Sequence, residues 1–158
     1  MRYIYSAFFY LVMPFVLLRL LWKSRKALVY RERIPERFGY FKIPEKYKKG
    51  ILVHSVSVGE TLTAVPLIKA LLKQYPDLPI TVTTQTPTGS ERVKAALNNS
   101  VFHVYVPYDL PSVVRRFLNK VQPKIVIIME TEIWPNLLYQ CDQRKIPIVL
   151  ANARLSER

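Results

Sequence analysis

The run ILVHSVSVGE, residues 51–60, joins a strand pattern directly to the start of a helix. Ile51 to His54 form a short apolar run of the kind found in strands. Helical spacing follows over residues 61–74, where Pro66 would kink the helix. A strand that leads through a short turn into a helix is the repeating unit of α/β sheets.

The same alternation continues to the end of the chain. The strand candidates are residues 51–54, 80–84, 101–106, 125–129 and 146–150, and the helix candidates are residues 61–74, 90–97, 111–121 and 133–144. Strands that alternate with helices of this length call for right-handed crossovers and a parallel sheet. The sequence therefore predicts an α/β, Rossmann-like body with helices on both faces of the sheet.

Composition divides the chain into three parts. We expect a membrane-anchor helix in residues 1–30, a basic linker in residues 31–49 with a turn at Arg37-Phe38-Gly39, and the Rossmann-like body in residues 50–158. A chain of 158 residues has room for one such body. The single Cys141 cannot form an internal disulfide, so nothing points to an oxidising compartment, and we expect a cytoplasmic body.

The formal net charge of +13 first suggests a polyanionic partner. Residues 1–50 hold twelve of the 24 basic residues against Glu32, Glu36 and Glu45, a net charge of +9, which leaves +4 for the rest of the chain. Aromatic and basic residues do not alternate on one face, and there is no RNP-like or zinc-finger pattern, so nucleic acid is not the expected partner. An anionic membrane fits better, because the excess charge flanks an apolar segment.

That apolar segment carries no charge over residues 3–18. Sixteen helical residues extend about 24 Å, so the helix crosses a bilayer only if Arg19 snorkels and the following Leu-Leu-Trp turn is included. Spanning the membrane and lying on it both remain open, and an ordinary buried helix is the third alternative. If the helix spans, Arg2 on one side and six basic residues between Lys23 and Arg37 on the other place the body in the cytoplasm.

Glycine and histidine spacing argues against several classes of site. Four scattered glycines make neither a dinucleotide-binding fingerprint nor a phosphate-binding loop. His54 and His103 stand alone on strand candidates, without the paired spacing of a metal-binding helix. We therefore expect no cofactor and no metal.

Glu60 follows the first strand and opens the first helix of the body. In parallel sheets ligands bind outside the carboxyl ends of the strands, so the position of Glu60 is suitable for a general base. The alternative is that Glu60 only supplies a favourable negative charge to the first turn of the helix.

Two further segments follow strands in the same way. Thr88, Gly89, Ser90 and Arg92 lie where a second helix begins, and their amides and guanidinium suit a phosphate or carboxylate, although a simple helix cap explains the pattern as well. Glu130 and Glu132 follow the most apolar strand, where they either line a polar cleft or bind nearby helix ends and basic groups.

Several segments, taken together and in order, resemble the 3-deoxy-D-manno-octulosonic acid (Kdo) transferase family. They are Tyr30-Arg31-Glu32-Arg33, Arg37-Phe38-Gly39, the run from His54 to Glu60, the run from Thr83 to Val93, Pro107-Tyr108-Asp109-Leu110-Pro111, the run from Met129 to Asn136 and Ala151-Asn152-Ala153-Arg154-Leu155-Ser156. Each is weakly specific alone, and the ordered set is highly specific.

The resemblance implies the acceptor-binding, amino-terminal half of a GT-B glycosyltransferase, with the CMP-Kdo-binding donor domain absent from this chain. It implies Kdo transfer from CMP-Kdo to the glucosamine 6-hydroxyl of a lipid A precursor, with inversion, on the cytoplasmic face of the bacterial inner membrane. Glu60 would be the general base, and Glu130 or Glu132 a second essential carboxylate. We expect Ser57, Gly59 and Asn136, in the same segments, to contact the substrate. The competing hypothesis is an acceptor-binding module that is catalytically incomplete.

Overall fold

The computed structural model describes residues 2–26 and 33–153. Within them lie the helices α1 (Arg2–Lys26), α2 (Val58–Gln74), α3 (Pro87–Leu97), α4 (Pro111–Val121) and α5 (Pro135–Gln143), and the strands β1 (Ile51–His54), β2 (Ile80–Thr84), β3 (Phe102–Tyr105), β4 (Ile125–Met129) and β5 (Ile148–Ala151). Short 3-10 turns occur at Ile34–Phe38, Glu45–Tyr47 and Asn98–Ser100. Residues 1, 27–32 and 154–158, which include parts of the predicted anchor, linker and body, lie outside the described residues.

The five strands form one parallel sheet in the order β3-β2-β1-β4-β5. Ile51 of β1 lies opposite Ile80 of β2 on one side and Ile125 of β4 on the other, so β1 is the central strand. This order matches the first five strands of the classic doubly wound order 3-2-1-4-5-6. The predicted fold class, a Rossmann-like parallel sheet preceded by an apolar helix, is confirmed.

Side chains of the central strand alternate between two cores, one on each face of the sheet. Ile51 and Val53 pack in the cluster with α2 and α3, whereas Leu52 packs in the cluster with α4 and α5. This alternation follows from the two-residue period of a strand. Both faces are covered, which explains why the strands are apolar on both sides instead of on every second residue.

The predicted bounds of β1, β2, β4 and α4 match the structure, but α2 and α3 each begin three residues earlier than predicted. Both helices start with a polar first turn that carries no apolar periodicity. Ser57 caps α2 and Thr86 caps α3, each by accepting a backbone N–H bond with its side chain. Apolar spacing alone therefore misses the first turn of a well-capped helix.

The described part of the predicted linker, residues 33–49, packs against the body. Phe41 lies 5.6 Å from Phe117 between ring centroids, and Phe38 makes an edge contact with Tyr108 at 5.3 Å. At the end of this segment, a Cβ on Gly50 would lie 1.7 Å from the Pro79 carbonyl oxygen. The chain enters β1 so close to Pro79 that only glycine fits.

Asp109 joins α1 and α5 to the loop that follows β3. Its carboxylate accepts backbone N–H bonds from Asn136 at 3.0 Å and Leu137 at 2.9 Å, so it caps α5 from outside that helix. The Tyr5 hydroxyl of α1 also lies within hydrogen-bonding reach. Burial raises the pKa of Asp109, and these hydrogen bonds oppose the rise.

One face of α1 docks on the body along the length of the helix. Ser6 donates a hydrogen bond to the Asn136 side chain at 3.1 Å, and Arg2 lies over the Tyr139 ring at 3.6 Å. Farther along, Met13 is buried in a cluster with Tyr108, Leu110 and Val113. The helix is therefore held by polar contacts at its amino end and apolar contacts at its centre.

The opposite face of α1 is apolar and exposed. Its side chains, each 61% to 76% exposed, are Ile4, Phe8, Leu11, Phe15, Leu18 and Trp22. Their spacing of three and four residues places them on one stripe of the helix. The stretch Arg2–Trp22 is long and apolar enough to cross a membrane.

His54 ends β1 inside the core. It is 1% exposed, its Nδ1 lies 3.0 Å from the Thr83 hydroxyl, and its Nε2 has no hydrogen-bond partner within the described chain. Burial lowers its pKa to about 4, although the nearby Glu60 charge opposes this shift. The folded protein therefore holds this imidazole neutral.

We expect acid to destabilise the fold through His54. The unfolded chain protonates this side chain near pH 6.5, so its contribution is complete above that pH and is lost as the pH falls toward 4, at a cost of about 3 kcal/mol. Urea unfolding between pH 7 and pH 4 measures the effect. The variant His54→Gln should show a shallower pH dependence than the parent, and equal slopes for the two proteins would contradict this explanation.

We also expect Asp109→Ala to lower the free energy of unfolding by about 2 kcal/mol, because it removes the acceptor for two amides at the start of α5. Asp77→Ala is the matched control, since Asp77 is exposed and exposed substitutions usually change stability by less than about 0.5 kcal/mol. Urea unfolding at pH 7 compares them. Equal midpoints for the two variants would show that the cap contributes nothing.

Candidate active site

The sheet changes its direction of growth at β1. The strands β2 and β3 extend it on one side, and β4 and β5 extend it on the other. The chains that leave β1 and β4 turn to opposite faces of the sheet, and in parallel sheets the ligand crevice forms at such a point, outside the carboxyl ends of the strands. Glu60 lies on the first of these connections, and Glu130 and Glu132 lie on the second, so the three predicted carboxylates border one crevice.

Glu60 forms a reciprocal cap with Ser57. Its Oε1 accepts the Ser57 N–H at 3.0 Å, its Oε2 accepts the Val56 N–H at 2.8 Å, and its own N–H donates to the Ser57 hydroxyl at 3.1 Å. The side chain of Glu60 is buried, with the residue 4% exposed. The capping function that we considered from the sequence is therefore present.

The cap leaves part of the hydrogen-bonding capacity of the Glu60 carboxylate unused. A carboxylate accepts about four hydrogen bonds, two at each oxygen, and the two amides use one position on each. The hydrogen bonds fix the orientation of the carboxylate relative to the turn. A ligand that reached the turn from the crevice would meet an acceptor whose position is already set.

Ser57 and Gly59 form the outer surface of the same turn, and both are exposed. A Cβ built on Gly59 would meet only the Ser57 hydroxyl, at 3.8 Å. Packing in this structure therefore does not require glycine at position 59. The missing side chain leaves open space beside Glu60, where another molecule can approach the backbone.

Glu130 is the first residue after β4 and adopts a left-handed backbone conformation, with φ of 57°. Its N–H still donates to the Ala151 carbonyl at 2.8 Å, so the residue is held at the end of the sheet. A left-handed residue other than glycine costs about 1 kcal/mol, and such residues cluster at functional sites. Among the described residues, no hydrogen bond or ion pair engages its carboxylate.

Glu132 is engaged differently. Its carboxylate accepts a hydrogen bond from the Trp134 indole at 2.9 Å, and the Trp134 ring makes an edge contact with His54, 5.2 Å between centroids. Glu132 therefore orients a tryptophan that covers the end of β1. Of the two acidic residues after β4, Glu130 is the one whose carboxylate has no partner within the described part of the chain.

The predicted anion site at the start of α3 is largely used by the helix itself. The Gly89 N–H donates to the Thr86 hydroxyl at 3.1 Å, and the Ser90 N–H donates to the Thr86 carbonyl at 3.0 Å. The Ser90 hydroxyl accepts a hydrogen bond from Arg33. Thr88 and Arg92 are exposed, so only these two of the four predicted residues face solvent.

Asn136, which we expected to contact the substrate, is 0% exposed. Its side chain donates to the Asp109 carbonyl at 2.6 Å and accepts hydrogen bonds from Ser6 and Arg2 of α1. The structure therefore places Asn136 in the junction between α1 and α5 and not on the open part of the crevice.

Sequence reasoning did not single out two arginines near the carboxyl ends of β2 and β3. Arg33 and Arg37 lie 4.6 and 4.5 Å from the centre of the Tyr105 ring, and Arg33 pairs with Glu36. Arg37 is buried and donates to the Gln85 carbonyl at 2.7 Å. Their segment was predicted as a basic linker with a turn, and it was quoted for the family resemblance without a role for either arginine. The local pattern does not reveal that the segment folds back onto the sheet.

Asp109 was quoted within a strand-to-helix segment but given no function. Its signal is an acidic residue in the short connection between β3 and α4, at the same edge of the sheet as Glu60 and Glu130. Among the described residues, no group of three His, Cys, Asp or Glu side chains has the arrangement of a metal site.

Comparison with known proteins gives a consistent result. The sequence profile of the family described as 3-deoxy-D-manno-octulosonic-acid transferase (kdotransferase) matches residues 32–158. A 3-deoxy-D-manno-octulosonic acid transferase of Haemophilus influenzae is 49% identical over 99% of this chain and 37% of its own length. A probable mitochondrial transferase of the same name from Arabidopsis thaliana is 37% identical over 98% of this chain and 35% of its own length.

A third relative, the transferase of the same name from Bordetella pertussis, is 38% identical over 77% of this chain and 30% of its own length. The chain thus spans about a third of the length of these relatives. The profile match, the identities and the Rossmann-like sheet agree: this chain belongs to the 3-deoxy-D-manno-octulosonic acid transferase family.

Proposed function

We propose that this chain is the acceptor-binding half of a glycosyltransferase that transfers Kdo from CMP-Kdo to the glucosamine 6-hydroxyl of a lipid A precursor in lipopolysaccharide biosynthesis. The observation that carries the proposal is the placement of Glu60 and Glu130 on the two chain segments that border the crevice at the carboxyl ends of β1 and β4. Membership of the family supports the reaction class. The donor domain that binds CMP-Kdo would close over this crevice.

In this mechanism Glu60 accepts the proton from the sugar hydroxyl as that oxygen attacks the anomeric carbon of Kdo. CMP leaves from the opposite side, so the configuration inverts. The hydrogen bonds from Val56 and Ser57 hold the Glu60 carboxylate in one orientation before substrate arrives, and such preorganisation is a main source of enzymatic rate. The open surface at Gly59 admits the acceptor sugar.

Glu130 supplies the second carboxylate in this proposal. Its strained backbone and its unengaged side chain suit a residue that waits for a substrate group. Glu132 instead acts as a positioning residue, because its carboxylate holds Trp134 over His54.

The α1 helix would attach the enzyme to the cytoplasmic face of the inner membrane by lying in the interface. Its amino end contacts Asn136 and Tyr139, and its later turns contact Tyr108 and Val113, so the whole helix runs along the body. A helix docked in this way presents its exposed apolar stripe to lipid without crossing the bilayer. The basic residues that follow would contact anionic headgroups.

A second candidate function is an acceptor-binding module without chemistry of its own. The observation that favours it is the Glu60 cap, since both carboxylate oxygens already accept amide hydrogen bonds. Incubating the chain continued by a donor domain with CMP-Kdo and a lipid A precursor, and measuring CMP release, separates the two functions. Release that depends on the precursor supports the transferase, and its absence supports the binding module.

Glu60→Gln distinguishes the base from the cap, because glutamine also occupies this position in capping boxes. In the chain continued by its donor domain, we expect the variant to lower the free energy of unfolding by about 1 to 3 kcal/mol, because its carboxamide oxygen can accept only one of the two amides. We expect it to remain folded and to lose Kdo transfer by about 100-fold to 10,000-fold. Glu91→Gln, on the exposed side of α3, is the control and should transfer Kdo at the parent rate. A Glu60→Gln enzyme with a rate near that of the control would remove Glu60 from the chemistry.

The interfacial placement of α1 has its own test. Single cysteines replace Phe8, Phe15 and Trp22, one at a time, in a Cys141→Ala background, and each receives a spin label. In vesicles with anionic lipid, we expect the three labels to report the same shallow depth by power-saturation EPR, because the residues share one face of a helix parallel to the membrane. A depth that changes steadily from one end of α1 to the other would instead indicate a spanning helix.

A further inference from the structure

A cavity of about 220 Å³ lies between α1 and the carboxyl edge of the sheet. The residues that line it are Val16, Arg19 and Leu20 of α1, Arg37 and Tyr108, and Gln85 and Thr86 from the connection between β2 and α3. At about 30 Å³ for each water molecule, this volume equals about seven waters. It has room for a phosphate group together with the sugar atoms that carry it.

The charge of the lining is unbalanced. Arg19 and Arg37 both line the cavity, and among residues 2–26 and 33–153 no acidic side chain does. The nearest acid in sequence, Glu36, pairs with Arg33 and accepts the Tyr105 N–H. The cavity therefore has the electrostatic character of a site for an anion.

Arg37 is the buried cation of this lining. It is 4% exposed, and one of its terminal nitrogens donates to the Gln85 carbonyl. Phosphate or carboxylate oxygens are the acceptors that best match the fork of N–H groups of a guanidinium.

The rest of the lining shows what kind of anion fits. Val16 and Leu20 form an apolar wall on α1, and the exposed apolar stripe of the same helix faces away from the body. Arg19 is exposed, so its long side chain reaches from the helix to the mouth of the cavity. This combination suits the phosphorylated head group of an amphiphile whose chains lie beside α1.

Two hydrogen bonds connect this cavity to Glu60. The Gln85 N–H donates to the Val56 carbonyl at 3.1 Å, and the Val56 N–H donates to the Glu60 carboxylate at 2.8 Å. The cavity and the proposed base therefore share one rigid turn. A sugar whose phosphate occupies the cavity is held beside that turn.

We propose that Arg19 and Arg37 bind a phosphate monoester on the head group of the acceptor, in the cavity beneath α1; this inference rests on the proposed function. The site differs from the expected one at the start of α3, where Thr86 already accepts the Gly89 and Ser90 amides. Docking of α1 creates the site, because three of its lining residues belong to that helix.

The test compares Arg19→Gln with Arg25→Gln in the 158-residue chain. Both residues are exposed on α1 and both variants lose one positive charge, but only Arg19 lines the cavity. Co-sedimentation measures binding to phosphatidylcholine vesicles that contain either phosphatidic acid, a phosphate monoester, or phosphatidylglycerol, a diester. The parent should prefer phosphatidic acid.

Losing one charge weakens binding to any anionic surface by about fivefold, so Arg25→Gln should lower binding to both vesicles alike. Arg19→Gln should in addition reduce the preference for phosphatidic acid by about tenfold, the loss expected for one charge-assisted hydrogen bond. Equal effects of the two variants on both vesicles would overturn the proposal, since Arg19 would then act only as part of a basic surface.

Inorganic phosphate, added as a competitor, distinguishes a lipid head group from free phosphate. We expect it to displace the chain from phosphatidic acid only at concentrations far above those of the lipid, because it lacks the apolar contacts with Val16 and Leu20. Displacement at comparable concentrations would overturn the assignment to an amphiphile.

The result of the vesicle-binding test does not depend on whether the protein transfers Kdo. If the chain completed by its donor domain transfers Kdo but Arg19→Gln leaves the lipid preference unchanged, only this site is wrong. If the preference changes as expected but no Kdo is transferred, the proposed function is wrong and the phosphate site stands.

Discussion

The pairing of β1 with both β2 and β4 is the constraint on which the rest of the structure depends. Because β1 is central and parallel to both neighbours, the segments that leave β1 and β4 diverge at the same edge of the sheet. Glu60 and Glu130 border the crevice only for this reason. Glu60 and Glu130 are far apart in the sequence. The parallel pairing of β1 with β2 and β4 brings the segments that carry them to one edge of the sheet.

Glu60 meets two demands that do not conflict. A capping box needs a side-chain oxygen that accepts the backbone N–H of the cap residue, whereas a general base needs a free lone pair and a defined direction. The same hydrogen bonds that stabilise the start of α2 also immobilise the carboxylate, so the proposed base is held by the helix that it caps. Glu130 reaches a defined position by another route, since its backbone conformation is strained and its amide is tied to β5.

The sheet was predictable from the sequence because each central strand is a short apolar run whose limits coincide with a change of periodicity, as in Ile51–His54 and Ile125–Met129. The carboxylates after β1 and β4 were predictable because strand ends are where parallel sheets bind ligands. The order of the strands in the sheet was not predictable, since the periodicity of the sequence carries no information on which strands are neighbours. Asn136 illustrates the limit: its segment was identified, but its burial depends on α1, which docks from more than a hundred residues away.

The docking of α1 joins the proposed membrane attachment to the proposed chemistry. Asp109 caps α5 and reaches Tyr5, so the loop after β3, the start of α5 and the amino end of α1 form one connected unit. The face of α1 that meets this unit also closes the arginine-lined cavity, while its other face is apolar and exposed. In the proposed function, an acceptor anchored in lipid would therefore have a short path to the crevice. Its chains would stay beside the outer face of α1 and its phosphate would enter beneath the inner face, next to the turn that holds Glu60.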